Sequence, residues 1–176
     1  MVSIKLSGAN NAESISSKVA ADLPNRSAFD KALVEARRQA IAEGRSHALC
    51  YLDLDRFKAV NDQSGHGAGD ALLKQVATII RKTCRQHDFA ARIGGDEFVV
   101  LLTDCSTEAA QRVGTKIVEA IARMVFRWEG TVFQVGASVG VAAIAPDSTH
   151  DVLAEADAAC YLAKGAGRGQ VVVSAA

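Results

Sequence analysis

Residues 48–55 read Ala-Leu-Cys-Tyr-Leu-Asp-Leu-Asp, an apolar run that ends in two carboxylates. A short apolar run of this kind predicts a β-strand. Side chains alternate between the two faces of a strand, so Asp53 and Asp55 should project from one face while Leu54 points into the core. The end of this strand is therefore the first candidate for a functional site.

The segments on either side of this strand alternate between helical and extended patterns. The first predicted helix covers 27–43, begins at Asn25 or Ser27 and ends at Gly44, and the second covers 67–84. The third covers about 107–124 and is capped by Ser106 or Thr107, and the last runs to about 164 and is capped by Asp147 or Ser148. Predicted hairpins pair 89–93 with 97–102 and 131–135 with 137–144, and a final strand covers 170–173. Hairpins mixed with crossover helices predict an α+β fold with a mainly antiparallel central sheet of about five strands, flanked by helices, and a small additional hairpin.

Composition restricts the classes of function. The 176 residues fit one compact domain that can bury a core. Twenty Lys and Arg residues balance twenty Asp and Glu residues, so we expect no DNA or RNA partner. No apolar run reaches the ~20 residues of a membrane span and no signal-peptide core is present, so we expect a cytoplasmic location, although another domain of a parent protein could be anchored in a membrane.

The cysteines and histidines do not form a pattern typical of metal or thiol chemistry. Cys50, Cys84, Cys105 and Cys160 are far apart and form no CxxC pair. Three of them lie in apolar or helical surroundings, which favours small buried hydrophobic residues over a disulfide framework. The histidines lack partners at zinc-ligand spacing, so we predict no zinc site.

A second acidic pair follows two glycines in the segment Gly94-Gly95-Asp96-Glu97, at the predicted hairpin tip. Glycines let the backbone approach a ligand closely, and adjacent acids supply oxygen ligands for a hard cation. Each motif alone is more often a solvated strand end or an ordinary turn. If the strands of Asp53 and Asp96 are neighbours, however, their carboxylates can share Mg²⁺, as in two-metal phosphoryl-transfer sites, with Mn²⁺ as the alternative ion.

The pentapeptide Gly94–Phe98 is also the signature of the GGDEF family of diguanylate cyclases, which the chain resembles from about residue 22 to 173. Further landmarks occur in the family's order and spacing: Leu23–Arg26, Asp53 to Lys58, Asn61-Asp62, Gly65-His66, Gly69-Asp70, Arg92-Ile93, Ser138–Ala142, Ala156-Asp157, Tyr161, Ala163-Lys164 and Gly167-Arg168. The resemblance implies a fold like that of palm and nucleotide-cyclase domains. It also implies a GGDEF domain over 23–176. Residues 1–22 are small and polar with weak periodicity, which predicts a flexible or partly helical segment before that domain.

The resemblance implies specific residue roles. Asp53, Asp96 and Glu97 are the expected catalytic residues, and the expected metal ligands are the same three side chains together with the carbonyl of Leu54. Expected substrate-binding residues are Phe57, Lys58, Asn61, Asp70, Gly94, Gly95, Lys164 and Arg168. A carboxylate at Asp70 can accept hydrogen bonds from both N1–H and the exocyclic amine of guanine, a donor pair that adenine lacks. Lys164 and Arg168 would share a helical face if the last helix continued that far, although Gly165 and Gly167 argue against it.

The activity implied is condensation of two GTP molecules into cyclic di-GMP and two pyrophosphates. Each domain would hold one GTP, so a homodimer is required. Arg85 and Asp88 match the family's RxxD motif, which implies allosteric inhibition by the product. The segment 126–133 resembles cyclase domains joined to EAL phosphodiesterase domains, so we expect fused sensory or EAL domains in the full-length protein. The alternatives are a non-catalytic regulatory module that binds GTP or cyclic di-GMP and a different palm-type nucleotidyltransferase.

Overall fold

A computed structural model describes residues 22–147 and 150–175. Its elements in chain order are α1 (Arg26–Glu43), β1 (His47–Asp55), α2 (Phe57–Thr83), β2 (Phe89–Arg92), β3 (Glu97–Leu102), α3 (Thr107–Arg123), β4 (Phe126–Trp128), β5 (Thr131–Phe133), β6 (Gly136–Ile144), α4 (Val152–Gly165) and β7 (Val171–Val173). The segment predicted over 1–22 lies outside the described residues except for Asp22, and so does Ser148.

The central sheet has five strands in the order β2-β3-β1-β6-β7, which confirms the predicted α+β fold. All neighbouring pairs are antiparallel except β6 and β7. Helices cover both faces. Ala48, Cys50 and Leu52 of β1 belong to one core cluster, whereas Leu49 and Tyr51 belong to the cluster on the opposite face. This alternation follows from the two-residue period of a strand and confirms the predicted arrangement of β1.

The predicted hairpin between 131–135 and 137–144 is wrong. Strand β5 pairs with β4, a short strand absent from the prediction, whereas β6 lies inside the main sheet between β1 and β7. Glu129 and Gly130 form the turn between β4 and β5, with φ of 44° and 83°. Positive φ at both turn residues is typical of the tightest hairpin connections, because their twist matches that of the strands. A small additional hairpin is therefore present, but it is formed by β4 and β5 rather than by the residues predicted.

Helix boundaries agree with the sequence where a cap is local. The side chain of Asn25 caps α1, Ser106 caps α3, and Gly44 ends α1 in the left-handed region at φ 65°. Two boundaries were predicted wrongly. Helix α2 begins at Phe57 rather than at 67 and continues through a kink at Gly65, and α4 is capped by Asp151, whose carboxylate accepts hydrogen bonds from the N–H groups of residues 153 and 154.

Close packing of α4 on β6 fixes where the end of this helix lies. A methyl group placed at Gly140 would be 1.9 Å from the carbonyl oxygen of Ala156 and 2.3 Å from the nitrogen of Cys160. The Cys160 thiol is buried and donates a hydrogen bond to the carbonyl of Ser138 on β6 at 3.2 Å. Burial raises the pKa of this thiol to about 12, as expected of a structural cysteine. No helix in the described ranges is long and apolar enough to cross a membrane.

Candidate active site

The two acidic segments meet because β1 and β3 are neighbours. Asp53 is paired with Glu97 in the antiparallel register, and the backbone N–H of Leu54 donates a hydrogen bond to the carbonyl oxygen of Asp96 at 3.2 Å. The hairpin tip therefore lies beside the end of β1. The structure brings together the two motifs that the sequence placed about forty residues apart.

Lys164, in the last turn of α4, reaches the same strand end. Its ammonium nitrogen lies 2.6 Å from Oδ2 of Asp53. Partial burial raises the pKa of Asp53, and the charges of Asp96 and Glu97 act in the same direction, while Lys164 opposes them. Burial lowers the pKa of Lys164, but the hydrogen bond and the charge of Asp53 outweigh this effect and raise it overall. The site thus concentrates acidic charge around the Lys164 ammonium.

The carboxylate of Glu97 is held by a residue that the sequence analysis did not single out. The hydroxyl of Tyr51 donates a hydrogen bond to Oε1 of Glu97 at 2.6 Å. Tyr51 lies two residues before Asp53 on β1, so both side chains project from the same face of the sheet. That spacing was visible in the sequence, but only the register of β1 against β3 shows which side chain of β3 lies within reach.

The turn between β2 and β3 is fixed by Arg92. Its guanidinium donates hydrogen bonds to the carbonyl oxygens of Gly94 and Gly95 at 2.8–3.1 Å. Neither glycine has a positive φ. The absent side chain of Gly94 instead makes room for Glu97, since a Cβ there would lie 1.8 Å from Oε2 of Glu97. Gly95 is exposed, and a Cβ there would meet no neighbouring atom within 4 Å.

Asp55 shares a face with Asp53 but has a different environment. It is buried, with 6% of its surface exposed. Its Oδ1 accepts a hydrogen bond from the hydroxyl of Ser138 at 2.9 Å, and its Oδ2 accepts one from the N–H of Gly169 at 3.1 Å. Asp55 therefore connects the ends of β1 and β6 to the loop after α4.

That loop determines the position of Arg168. Helix α4 ends at Gly165, and Arg168 has a left-handed backbone at φ 67°, between Gly167 and Gly169, which also have positive φ. Its Nε lies 4.0 Å from Oδ1 of Asp55. Arg168 therefore lies outside the helix and does not share a helical face with Lys164.

Several of the other predicted substrate-binding residues cluster around the kinked helix α2. A Cβ at Gly69 would lie 2.0 Å from Oδ1 of Asn61 and 3.1 Å from the ring of Phe57, so both side chains pack against this glycine, beside Asp70. Oδ1 of Asn61 is buried, with no hydrogen-bond partner in the part of the chain that the structure describes. Lys58 is exposed on the same helix.

An open cavity of about 600 Å³ lies between α2 and the Gly94 turn. Asp70 and Gly94 both line it. Three cations, Arg26, Lys74 and Arg92, also line this cavity. No role was predicted for these three cations from the sequence, although Lys74 lies four residues after Asp70, the spacing that places two side chains on one helical face.

Arg85 and Asp88 lie just after the C-terminal end of α2, in the segment that leads into β2. The Asp88 carboxylate accepts a hydrogen bond from the backbone N–H of Arg85 at 2.8 Å. Both residues line a separate cavity of about 280 Å³, together with Arg81, Leu23 and Pro24. The cavity thus combines two guanidinium groups with an apolar wall.

The donor groups at the strand ends fit a magnesium ion. Within residues 22–147 and 150–175 no three His, Cys, Asp or Glu side chains are close enough to form a ligand set by themselves. Magnesium does not need such a set, because it is commonly bound by one or two carboxylates while water and substrate phosphates complete its octahedron. Asp53 and Asp96 supply hard oxygen donors, and the ammonium of Lys164 on Asp53 marks a position that favours a cation.

The family described as "Diguanylate cyclase, GGDEF domain" has a sequence profile that matches residues 19–170. This chain belongs to the GGDEF family. The GGDEF domain of DgcB from Caulobacter crescentus, solved in complex with c-di-GMP, is similar to it with a TM-score of 0.81 and 32% identity, over 86% of this chain and 91% of that one.

Curated relatives of this GGDEF domain are much longer proteins. The chain is 46% identical over 154 residues to the Probable diguanylate cyclase DgcE of Escherichia coli (strain K12), covering 86% of this chain and 14% of that protein. It is 42% identical over 150 residues to the Bifunctional diguanylate cyclase/cyclic di-GMP phosphodiesterase MucR of Pseudomonas aeruginosa, covering 83% of this chain and 22% of that protein. The chain thus corresponds to less than a quarter of each of these relatives.

Proposed function

We propose that this GGDEF domain is a diguanylate cyclase that joins two GTP molecules into cyclic di-GMP and releases two pyrophosphates. The observation that carries the proposal is the meeting of Asp53, Asp96 and Glu97 at the ends of β1 and β3, with the Lys164 ammonium 2.6 Å from Asp53. Carboxylates beside a cation are the groups that phosphoryl transfer needs for electrostatic stabilisation. The GGDEF family relationship supports the same activity.

Asp53, Asp96, Glu97 and the carbonyl of Leu54 would hold Mg²⁺ or Mn²⁺. Bound there, the ion would neutralise phosphate charge and lower the pKa of the attacking 3′-hydroxyl. Lys164 shares Asp53 with this site, and its ammonium would be free to contact the phosphates if a metal ion held that carboxylate. Lys58 and Arg168 complete the proposed set of phosphate contacts.

Guanine recognition is assigned to Asp70 and Asn61. The carboxylate of Asp70 can accept from N1–H and the exocyclic amine, and a base without that donor pair would leave it unpaired at the cavity wall. The unpaired amide oxygen of Asn61 supports a role in binding a polar ligand. The ring of Phe57, which packs against Gly69, would provide an apolar surface for the base.

The reaction requires two copies of the domain. One active site holds one GTP, and each 3′-hydroxyl must attack the α-phosphate of the other molecule. A two-fold pairing that places two such sites face to face would make the attack effectively intramolecular, which accounts for a large part of the rate enhancement. We therefore expect a homodimer to be the active species.

Product inhibition is proposed at the second cavity. Arginine presents two parallel donors that match the O6 and N7 edge of guanine, and Arg81 lines the same cavity as Arg85. Asp88 can accept from a guanine donor. The length of the relatives and the two activities in the name of MucR support further domains, sensory or EAL, in the full-length protein.

Incubation of the purified chain with GTP and Mg²⁺, followed by chromatography, tests the proposal. We expect cyclic di-GMP, formed at a rate that rises more steeply than linearly with protein concentration, and no product from Asp96→Ala. A dimerising helix fused to the N-terminus should raise the rate per chain. GTP binding without product, even in the fused dimer, would refute the cyclase activity and favour a regulatory nucleotide-binding module.

A further inference from the structure

Tyr51 is a buried residue of β1 whose polar end reaches the acidic site. Only 6% of its surface is exposed, and its ring belongs to the core cluster between the sheet and helices α1 and α4. Its hydroxyl is the one part that contacts a polar group of the site, donating to Oε1 of Glu97 at 2.6 Å. Packing of the ring therefore fixes the position of the hydroxyl.

Glu97 is restrained from its other side by the backbone of the turn. Oε2 of Glu97 fills the space where Gly94 would carry a Cβ, with a separation of 1.8 Å from that position. Arg92 holds the same turn through the carbonyl oxygens of Gly94 and Gly95. One carboxylate oxygen is thus placed by the sheet and the other by the hairpin turn.

We infer that Tyr51 is a positioning residue for Glu97, holding its carboxylate at the site where the family chemistry proposed above takes place. The inference rests on the proposed cyclase activity. An ionised carboxylate offers about four lone-pair positions. The hydrogen bond from Tyr51 therefore orients the group and leaves it free to bind a metal ion or to accept a proton. Gly94 acts with Tyr51, because any side chain at this position would displace Glu97.

A double-mutant cycle in metal-free protein tests the contact without reference to activity. Tyr51→Phe, Glu97→Leu and the double variant are unfolded by urea in the presence of EDTA. Because Phe retains the ring without the hydroxyl and Leu has no hydrogen-bond acceptor, each single variant removes the hydrogen bond and the cycle isolates it. We expect the effects on the unfolding equilibrium constant to be non-additive by about tenfold. If the effects of the two single substitutions on the unfolding equilibrium constant were additive, the hydrogen bond between Tyr51 and Glu97 would be refuted.

Steady-state kinetics test the positioning role. Removal of a hydrogen bond that orients a metal ligand typically costs about 10- to 100-fold, so Tyr51→Phe should lower kcat about tenfold and raise the half-saturating Mg²⁺ concentration. The KM for GTP should change less than about twofold, because the base and phosphate contacts are retained. Tyr161→Phe removes a hydroxyl from an exposed tyrosine and is the matched control, with no expected change.

Gly94→Ala provides a second perturbation of the same carboxylate. Gly94 does not require a positive φ, and the clashing atoms belong to the flexible Glu97 side chain, so the variant should fold. It should nonetheless displace Glu97 and reproduce the change in Mg²⁺ dependence. Unchanged kcat and Mg²⁺ dependence in Tyr51→Phe, with an active wild-type chain, would overturn the positioning role alone. An inactive wild-type chain would refute the proposed function, while the double-mutant cycle would still measure the contact between Tyr51 and Glu97.

Discussion

Replacement of Asp55 by alanine should destabilise the domain and impair the site through the loop after α4. Asp55 is buried and accepts hydrogen bonds from Ser138 and Gly169. Ser138 is fully buried, so the substitution leaves its hydroxyl without this acceptor, at a cost of about 1–3 kcal/mol. Gly169 is exposed and can bind water instead, which adds a smaller loss.

The expected total is about 2–3 kcal/mol of unfolding free energy, since relief of burying a charge offsets part of the loss. A domain of this length loses about 2–4 °C of Tm for each kcal/mol, so Tm should fall by about 4–12 °C. Loss of the hydrogen bond from Gly169 to Asp55 also removes a restraint on the neighbouring Arg168, whose backbone is left-handed. Because Arg168 is a proposed phosphate contact, cyclic di-GMP formation at low GTP should fall by about tenfold or more.

Circular dichroism melts and product chromatography on the same preparations provide the measurements. Asp55→Asn retains one acceptor oxygen and should lie between the wild type and Asp55→Ala. Glu119→Ala, which removes an exposed ion pair with Arg123 at 3.5 Å, is the surface control and should change stability by less than about 0.5 kcal/mol. A melt of Asp55→Ala within 2 °C of the wild type, with unchanged activity, would refute the reasoning.

Three further outcomes are expected. Because burial raises the pKa of Asp53, protonation of this carboxyl stabilises the fold below its ordinary pKa, and that stabilisation is lost as pH rises through the raised pKa. Asp53→Asn should therefore abolish product yet melt at a higher temperature than the wild type at pH 7, by a difference in Tm that shrinks in acid. A difference in Tm that does not depend on pH would contradict this reasoning. Gly140→Ala places a methyl 1.9 Å from a backbone oxygen of α4 and should cost about 1–3 kcal/mol or more in a thermal melt, whereas an unchanged Tm would disprove the contact. Arg85→Ala should retain the initial rate and weaken inhibition by added cyclic di-GMP at least about tenfold, and equal inhibition would move the inhibitory site elsewhere.

The sequence determined those features that depend on neighbours along the chain. The alternation around Leu54 predicted correctly that this side chain enters the core, although it did not indicate that Leu49 and Tyr51 on the opposite face are buried as well. Asn25, Ser106 and Gly44 marked helix ends through their own backbone contacts. The GGDEF motif and its spacing predicted the family. The residues assigned to GTP, metal and product binding remain predictions.

The tertiary structure decided what depends on register between distant segments. No local pattern indicates that Tyr51 lies within hydrogen-bonding distance of Glu97, or that the loop containing Gly169 ends on Asp55. The pairing of β5 with β4 was likewise missed, because the apolar run of β6 fits a hairpin strand and a central strand equally well. Local propensity determines where helices and strands form, because it depends on neighbours along the chain. The groups around each carboxylate depend instead on how strands and helices pack. That packing places Asp53 beside Lys164, orients Glu97 through Tyr51 and buries Asp55.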